Sequence, residues 1–191
     1  ARDSSFVVGM TVEFIMNLDT KLFFKINNLA RCNKWLDLFG YAGSEWALPL
    51  MAVYYAAMVL AMSWENKMIG FLILIFSAGL WLTGFVLDFC IALIVKRSRP
   101  HVTHPNSNLL IKPIANWHSF PSDHTMTAFL ICWLALIFGL PWAWVFFPFA
   151  VWVVFGRMFV GVHYPTDILG GLTIASLLAG LLQYILKMSL L

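Results

Sequence analysis

The chain has 191 residues, enough for one domain, and is 61% hydrophobic, 16% aromatic and only 11% charged. A soluble domain carries about a quarter charged residues, so a water-soluble globule is excluded and the class is an all-α integral membrane protein. The net charge of +3, with no basic run carrying interleaved aromatics, excludes a nucleic-acid partner. Cys32, Cys90 and Cys132 make no disulfide framework. Cys90 and Cys132 read as small hydrophobes filling apolar segments. The first apolar segment arrives late and no small-residue cleavage site precedes it, so no cleavable signal peptide is expected. Residues 1–9 look unrelated to the rest of the chain. They are expected to be an appended remnant, with Met10 the native start and 10–191 a single domain.

Thr11–Leu29 is interrupted by Glu13, Asp19, Lys21 and Lys25 and cannot span. Ile15, Leu18, Leu22, Ile26 and Leu29 recur at steps of three and four, which puts them on one helical face. Lys21, Lys25, Asn17 and Asn28 fall opposite, so the segment is expected to lie in the membrane interface, the alternative being a solvent-facing helix packed on the bundle. Trp46–Trp64 is the first span, uncharged inside and with a tryptophan at each end, as in an aromatic belt. After a polar turn at Ser63–Lys67, Lys67–Val95 is a 29-residue apolar run broken only by Asp88. It is long enough to tilt or project. Asp88 lies about two turns before Lys96. Two readings stand for it, reaching the interface or pairing with a basic residue, and the structural role is preferred.

Lys96–Phe120 is a long connection holding Pro100, Pro105 and Pro113, and connections of this length are usually functional or disordered. The remaining spans are Pro121–Leu140, Trp142–Val162 and Pro165–Met188. The last carries Gly171, Ala175 and Ala179 at four-residue spacing, a stripe suited to close packing. The whole is a bundle of about six helices, one interfacial and five spanning. Counting crossings returns residues 96–121 and 157–167 to the same membrane face as the N-terminal helix.

That shared face collects the polar residues of an otherwise apolar chain. Ionisable groups at membrane depth are costly and point to function by default. Pro121 reads as the first residue of a helix, which puts Ser122, Asp123 and His124 in its first turn. Free backbone N–H groups there, with the helix dipole, make an anion site. Pro165 starts the last span likewise and disfavours helical geometry at Tyr164. His163 therefore sits in the bend, with Asp167 one turn into the helix and within reach. A carboxylate on one imidazole nitrogen fixes the tautomer and leaves the other the better nucleophile. Arg99 and Arg157 bring guanidinium groups suited to phosphate oxygens, and Lys96 and Arg97 add positive charge. The inventory fits phosphoryl transfer without a metal or cofactor: one histidine attacks phosphorus, the other protonates the leaving oxygen, and the arginines hold the equatorial oxygens. His101 and His104, with His118, have no good zinc spacing and read as loop histidines.

Arg99-Pro100, then Pro121-Ser122-Asp123-His124, then Arg157 with His163 and Asp167, resembles the three-part signature of the type 2 phosphatidic acid phosphatase (PAP2) superfamily, over about residues 96–170. The resemblance implies a PAP2-like helical bundle and a phosphohistidine mechanism. His163 would be the nucleophile, Asp167 its orienting partner and His124 the general acid. Arg99, Arg157 and Ser122, with Asp123, Lys96 and Arg97, would be on the phosphate. The family's first-motif lysine falls at Ala92 here, its second-motif glycine at Asp123, and the serine before the third-motif arginine at Gly156. These departures, with the Val-Gly-Val-His-Tyr-Pro-Thr-Asp run, look most like the bacitracin-resistance branch, the undecaprenyl-diphosphate phosphatases. The branch implies removal of the terminal phosphate of undecaprenyl diphosphate, recycling of the cell-wall lipid carrier, and bacitracin resistance.

Other lipid phosphates use the same chemistry: lipid A, phosphatidylglycerophosphate or phosphatidate. A lipid carrier with a degenerate site is the non-enzymatic alternative. Sidedness shows a conflict. Lys21, Lys25, Arg31, Lys34 and Lys112 lie on the site's face and only Lys67 and Lys187 opposite, so the positive-inside rule puts the site in the cytoplasm. The resemblance implies the outer face of a bacterial plasma membrane. That is the expectation adopted, since an interfacial helix and a phosphate site recruit basic residues for other reasons.

Overall fold

The computed structural model describes residues 4–189, and every regular element among them is helical. The reading of residues 1–9 as an appended remnant falls partly on residues 1–3, outside the described residues. Helix α1 runs Ser4–Asn27. It turns Asp19, Phe23 and Asn27 inward and leaves Leu18 and Leu22 exposed. Leu18 and Leu22 of the apolar stripe thus face away from the protein, while Ile26 packs against the cluster of Ala30, Phe159, Val160 and Val162. The face that docks on the bundle holds two polar residues, which apolar periodicity does not reveal.

Helix α2, Lys34–Glu45, has no counterpart in the sequence reading, because two glycines and three charges obscure it. Asn33 caps it, accepting from Trp35 N at 2.8 Å. It runs into α3, Ala47–Met62, with a 50° bend, and the pair together is apolar and long enough to cross a membrane. The apolar stretch long enough to cross thus includes α2, which begins about a dozen residues before Trp46. Trp46 and Trp64, at either end of α3, are both exposed, as belt residues are.

Helix α4, Lys67–Val95, is a full span. Its inner face is Gly70, Ser77, Gly84, Asp88 and Ala92, and its outer face shows Phe71, Phe76 and Ile94. Ser77 donates to Ile73 O at 2.7 Å and sits 2.7 Å from the Tyr55 hydroxyl, so the polar groups at that depth satisfy one another. Asp88 fits neither reading. It is 1% exposed, and neither carboxyl oxygen has a hydrogen-bond partner among the described residues.

Helix α5, Pro100–Thr103, is one turn in the long connection. Helix α6, Asp123–Ile137, is the central column, with Thr125, Met126, Ala128, Leu130, Ile131, Cys132, Leu134 and Ala135 all buried. A helix apolar all round belongs in an interior. Pro121 is not its first residue: Ser122 is the N-cap and Asp123 opens the helix. After a 3-10 turn at Ala143–Val145 comes α7, Phe146–Phe159. At about 1.5 Å per residue α6 and α7 are each roughly 22 Å long, shorter than the roughly 30 Å hydrocarbon core. The α6 cap at Ser122 and the α7 end at Phe159 are buried, while the connection between the two helices is exposed at Trp142 and Trp144. Helix α8, Pro165–Met188, matches its expected bounds, and Gly171, Ala175 and Ala179 are buried against α6. A Cβ on Gly171 would overlap Ser122 O and lie 2.9 Å from Met126 N, so α6 and α8 cross at nearly backbone contact.

The same closeness joins α2 to α7. A Cβ on Gly156 would overlap Ser44 N and Gly43 C, and one on Gly40 would overlap the Phe159 ring. Trp152 Nε1 donates to Phe39 O at 3.0 Å across this contact. The family's serine at position 156 is thus incompatible with α2 where it lies. Gly156→Ser should destabilise the protein by about 1–3 kcal/mol, the usual cost of overpacking, read as a lower thermal midpoint in detergent. An unchanged midpoint would show that α2 yields freely.

Candidate active site

The bend between α7 and α8 is fixed first by local chemistry. Tyr164 is extended (φ −85°, ψ 160°), as a residue before proline should be. Pro165 takes the first helical position, where its missing N–H costs nothing. Asp167 is then the third helical residue, and its Oδ2 accepts from Tyr164 N at 2.7 Å. Two more donors complete this carboxylate. Ser119 Oγ gives 2.6 Å to Oδ2, and Arg97 Nη1 gives 2.6 Å to Oδ1. Asp167 is fully buried, so its carboxyl oxygens depend on these three bonds in place of water.

His163 is 1% exposed. Its Nδ1 lies 2.8 Å from Ser119 O and 3.6 Å from Asp167 Oδ2. The sequence reading sets Asp167 directly on this nitrogen. In the structure the Ser119 carbonyl is the nearer acceptor, and Asp167 is one step behind, holding the Ser119 hydroxyl as well. A carbonyl can only accept, so Nδ1 carries the proton and Nε2 is left bare, 3.3 Å from Arg99 Nη1. Burial pushes the imidazole down to about 4; Asp167 opposes the shift, and Arg157 and Arg99 add to it. Ser119 gives no signal in the sequence, as it precedes the Pro121–His124 motif and belongs to no periodic pattern.

Arg99 is 7% exposed and fastened by Nε to Ala115 O at 2.7 Å and by Nη1 to Val162 O at 3.2 Å. Burial lowers its guanidinium below the ordinary value, against the pull of Asp123 and Asp167. Arg157 is 5% exposed, with Nη1 on Ser44 Oγ at 3.0 Å and Glu45 Oε1 at 3.5 Å. Its Nε is buried and without a partner among the described residues. A buried donor left unmade is costly, and an anion between these arginines would satisfy it. Ser44 and Glu45 come from α2, the helix the sequence does not disclose.

At the start of α6, Asp123 Oδ1 accepts from His124 N at 2.8 Å and stands 2.9 Å from His124 Nδ1. Nδ1 is thereby engaged and Nε2 of His124 is free for a proton transfer. Ser122, expected on the phosphate, is fully buried: its Oγ accepts from Thr125 N and Thr125 Oγ1, and its N–H donates to Asp167 O at 3.0 Å. It joins α6 to α8 rather than facing outward.

Two further expected phosphate ligands are elsewhere. Lys96 is exposed, in the left-handed cap of α4 (φ 49°). Arg97 is taken by two carboxylates, Asp167 and Asp19, and by Thr166 Oγ1 at 2.6 Å. Burial lowers the Arg97 guanidinium, but Asp167 and Asp19 outweigh it and hold it above its ordinary value. The loop histidines are apart: His101 bonds Asn116 at 3.2 Å, His104 packs edge-on to Phe24, and His118 stacks on Trp117.

A membrane bundle that buries a bare imidazole nitrogen beside two guanidinium groups, with a second histidine on a facing helix start, is built for phosphoryl chemistry on a lipid. The chain matches the PAP2 superfamily across residues 68–190, and it belongs to that family of phosphatases. It is 30% identical over 158 residues to undecaprenyl-diphosphatase BcrC of Bacillus subtilis (strain 168), spanning 83% of this chain and 79% of that one. It is 29% identical to the bacitracin transport permease protein BcrC of Bacillus licheniformis, over 82% and 73%. Among solved structures it is similar to Aquifex aeolicus LpxE, with TM-score 0.58, 26% identity, and 86% and 93% of the two chains covered. It also shares the fold of a transmembrane PAP2-type phosphatidylglycerolphosphate phosphatase from Bacillus subtilis, with TM-score 0.65, 24% identity, and coverage of 91% and 86%.

The His163 environment sets two signs. Nitrogen-15 NMR of histidine-labelled protein in detergent should place its titration near about 4, and Asp167→Asn should lower it further, since Asp167 raises it. With the folded value below the ordinary 6.5, the unfolded chain takes the proton first. Stability contributed here is complete above the ordinary value and declines as pH falls toward the folded one. A titration at or above the ordinary value would contradict the burial argument.

Proposed function

We propose that this chain hydrolyses a polyprenyl diphosphate, undecaprenyl diphosphate above all, to the monophosphate and inorganic phosphate. The observation that carries the reading is a cavity of about 550 Å³ between α3, α4 and α6. Its charged end is Glu45, Asp123 and His124, and the rest is mostly apolar, with Ala52, Ala56 and Phe85 among its walls and Ser77 and Thr127 its uncharged polar residues besides Tyr55. Along α3 from Leu48 to Ala56 it follows the helix for roughly 12 Å at about 1.5 Å per residue. A headgroup at the histidines would leave the first isoprene units in this groove and the remaining tail in the bilayer. The identity to the Bacillus subtilis undecaprenyl-diphosphatase supports the same substrate.

His163 Nε2 attacks the terminal phosphorus while Arg99 and Arg157 hold its non-bridging oxygens, where charge develops. The bond from phosphorus to the bridging oxygen breaks, and His124 gives that oxygen a proton. The lipid monophosphate leaves, and His163 carries the phosphoryl group. His124, now neutral, takes a proton from water, which attacks the phosphohistidine. Phosphate departs and His163 Nε2 is restored. The Nδ1–H bond to Ser119 O, backed by Asp167, supports the positive charge on the imidazole during attack. Recycling of the cell-wall lipid carrier, and with it bacitracin resistance, follows if the site opens on the outer face of the plasma membrane.

A second reading keeps the chemistry and changes the lipid, supported by the likeness to LpxE. Phosphate release measured side by side on undecaprenyl diphosphate, lipid A, phosphatidylglycerophosphate and phosphatidate should favour the polyprenyl substrate. His163→Ala should abolish release from each while leaving a folded protein. Near-native turnover by that variant would sink the mechanism. Ala56→Trp should raise KM for the long-chain lipid at least several-fold and leave a short water-soluble diphosphate unaffected. Equal effects on both would remove the groove from the account. Labelling of a cysteine engineered at Asn106 by an impermeant reagent in intact cells should succeed if the site faces outward.

A further inference from the structure

The docked face of α1 ends at the site through one side chain. Asp19 is 4% exposed. Its Oδ1 accepts from Thr166 N at 2.9 Å, and its Oδ2 accepts from Thr166 Oγ1 at 2.7 Å and from Arg97 Nη2. Arg97 Nη1 goes on to Asp167 Oδ1 at 2.6 Å, and its guanidinium lies over the Tyr164 ring, 4.2 Å from the centroid. Asp167 lies beside His163 Nδ1. The order is carboxylate, guanidinium, carboxylate, imidazole, and the first member comes from a helix that lies outside the three motifs.

We infer that Asp19 is a positioning residue for the phosphatase reaction: it fixes Arg97 on Asp167 and supplies the surplus negative charge of the chain that stabilises His163 as it becomes cationic. The inference rests on His163 being the nucleophile. Two features carry it. Arg97 beside Asp167 makes a pair of zero net charge, which supports a cation less than a lone carboxylate does. With Asp19 the three groups sum to one negative charge next to a buried imidazole. The second feature is geometry: Arg97 is about a quarter exposed and would be free to swing off Asp167 if its other nitrogen were not held. Asp19 also binds Thr166 in the first turn of α8, so it fixes both sides of Asp167 at once.

The effect falls on turnover and not on lipid binding, because Asp19 touches neither the cavity nor the two phosphate-facing arginines. A unit charge two ion pairs from the reacting nitrogen, in a poorly solvated site, is worth roughly a tenfold change in rate. Asp19→Asn keeps the shape and removes the charge. It should lower kcat about tenfold with KM within about twofold, and Asp19→Glu should recover most of the loss. Arg97→Gln breaks the same link while leaving Asp19 on Thr166, so it reports the link even where an Asp19 variant folds poorly. Because it leaves both carboxylates in place, it tests the positioning of Asp167 and not the charge: kcat should fall, and adding Asp19→Asn to it should cost less than the same change costs in the native background. Turnover is counted per folded enzyme, from the phosphoenzyme burst and the thermal midpoint. Native kcat in Asp19→Asn or in Arg97→Gln overturns the inference. Losses that multiply in the double variant do so too, since they would show Asp19 acting only by docking α1. If His163→Ala stays active, the catalytic reading falls instead.

Discussion

The buried carboxylate of Asp167 is the constraint on which the rest of the site depends. A charge removed from water costs several kcal/mol unless it is paired and fully hydrogen-bonded. Here every donor comes from a different stretch of chain: Tyr164 N from the bend, Ser119 Oγ from the end of the long connection, and Arg97 from the end of α4. Satisfying one group therefore brings three segments to one point. The long connection is held, too. Arg99 ties its start to Ala115 and Val162, and Asn27 of α1 bonds Asn108 N and O at 2.8 Å while reaching Phe159 O at 2.9 Å. Twenty-five residues with three prolines become a fixed wall of the site because buried polar groups on both sides need partners.

The same economy separates the two ends of the substrate. Apart from Asp19 in α1, the charged groups of the site gather at helix ends and in the long connection, and the groove leading away from His124 is mostly apolar. Charges within that groove would be expensive in hydrocarbon, and apolar groups at the helix ends would leave backbone N–H groups without an anion. A lipid with a phosphorylated head meets each requirement in turn. Electrostatics thus orients the substrate before any contact specific to one lipid is made.

Much of this is legible in the sequence. The spans at Lys67–Val95 and Pro165–Met188 match because long apolar runs with sharp ends leave little choice. Proline rules place Tyr164 and Asp167 correctly, since they are local. What escapes depends on tertiary contact. Helix α2 is too polar and glycine-rich to show an apolar face, and it forms because Gly40, Gly43 and Gly156 let two backbones meet. Ser119 and Asp19 act through a backbone carbonyl and a distant ion pair, which no spacing encodes. Asp19, Phe23 and Asn27 do recur at four-residue steps, so a search for polar stripes as well as apolar ones would find the docked face of α1. Charge puts Arg97 on the phosphate, and the resemblance puts Ser122 there. In the fold they hold the framework that presents the residues beside them.

Gly156 shows that a motif position and a helix elsewhere in the chain can be one inheritable unit. Its missing side chain admits the α2 backbone, and α2 in turn delivers Ser44 and Glu45 to Arg157. A serine at this place would push that stretch outward and leave the arginine to be held by other means. Exchanging only the signature residues between two branches would then transfer the letters without their support. The natural unit of exchange is the motif together with residues 34–45.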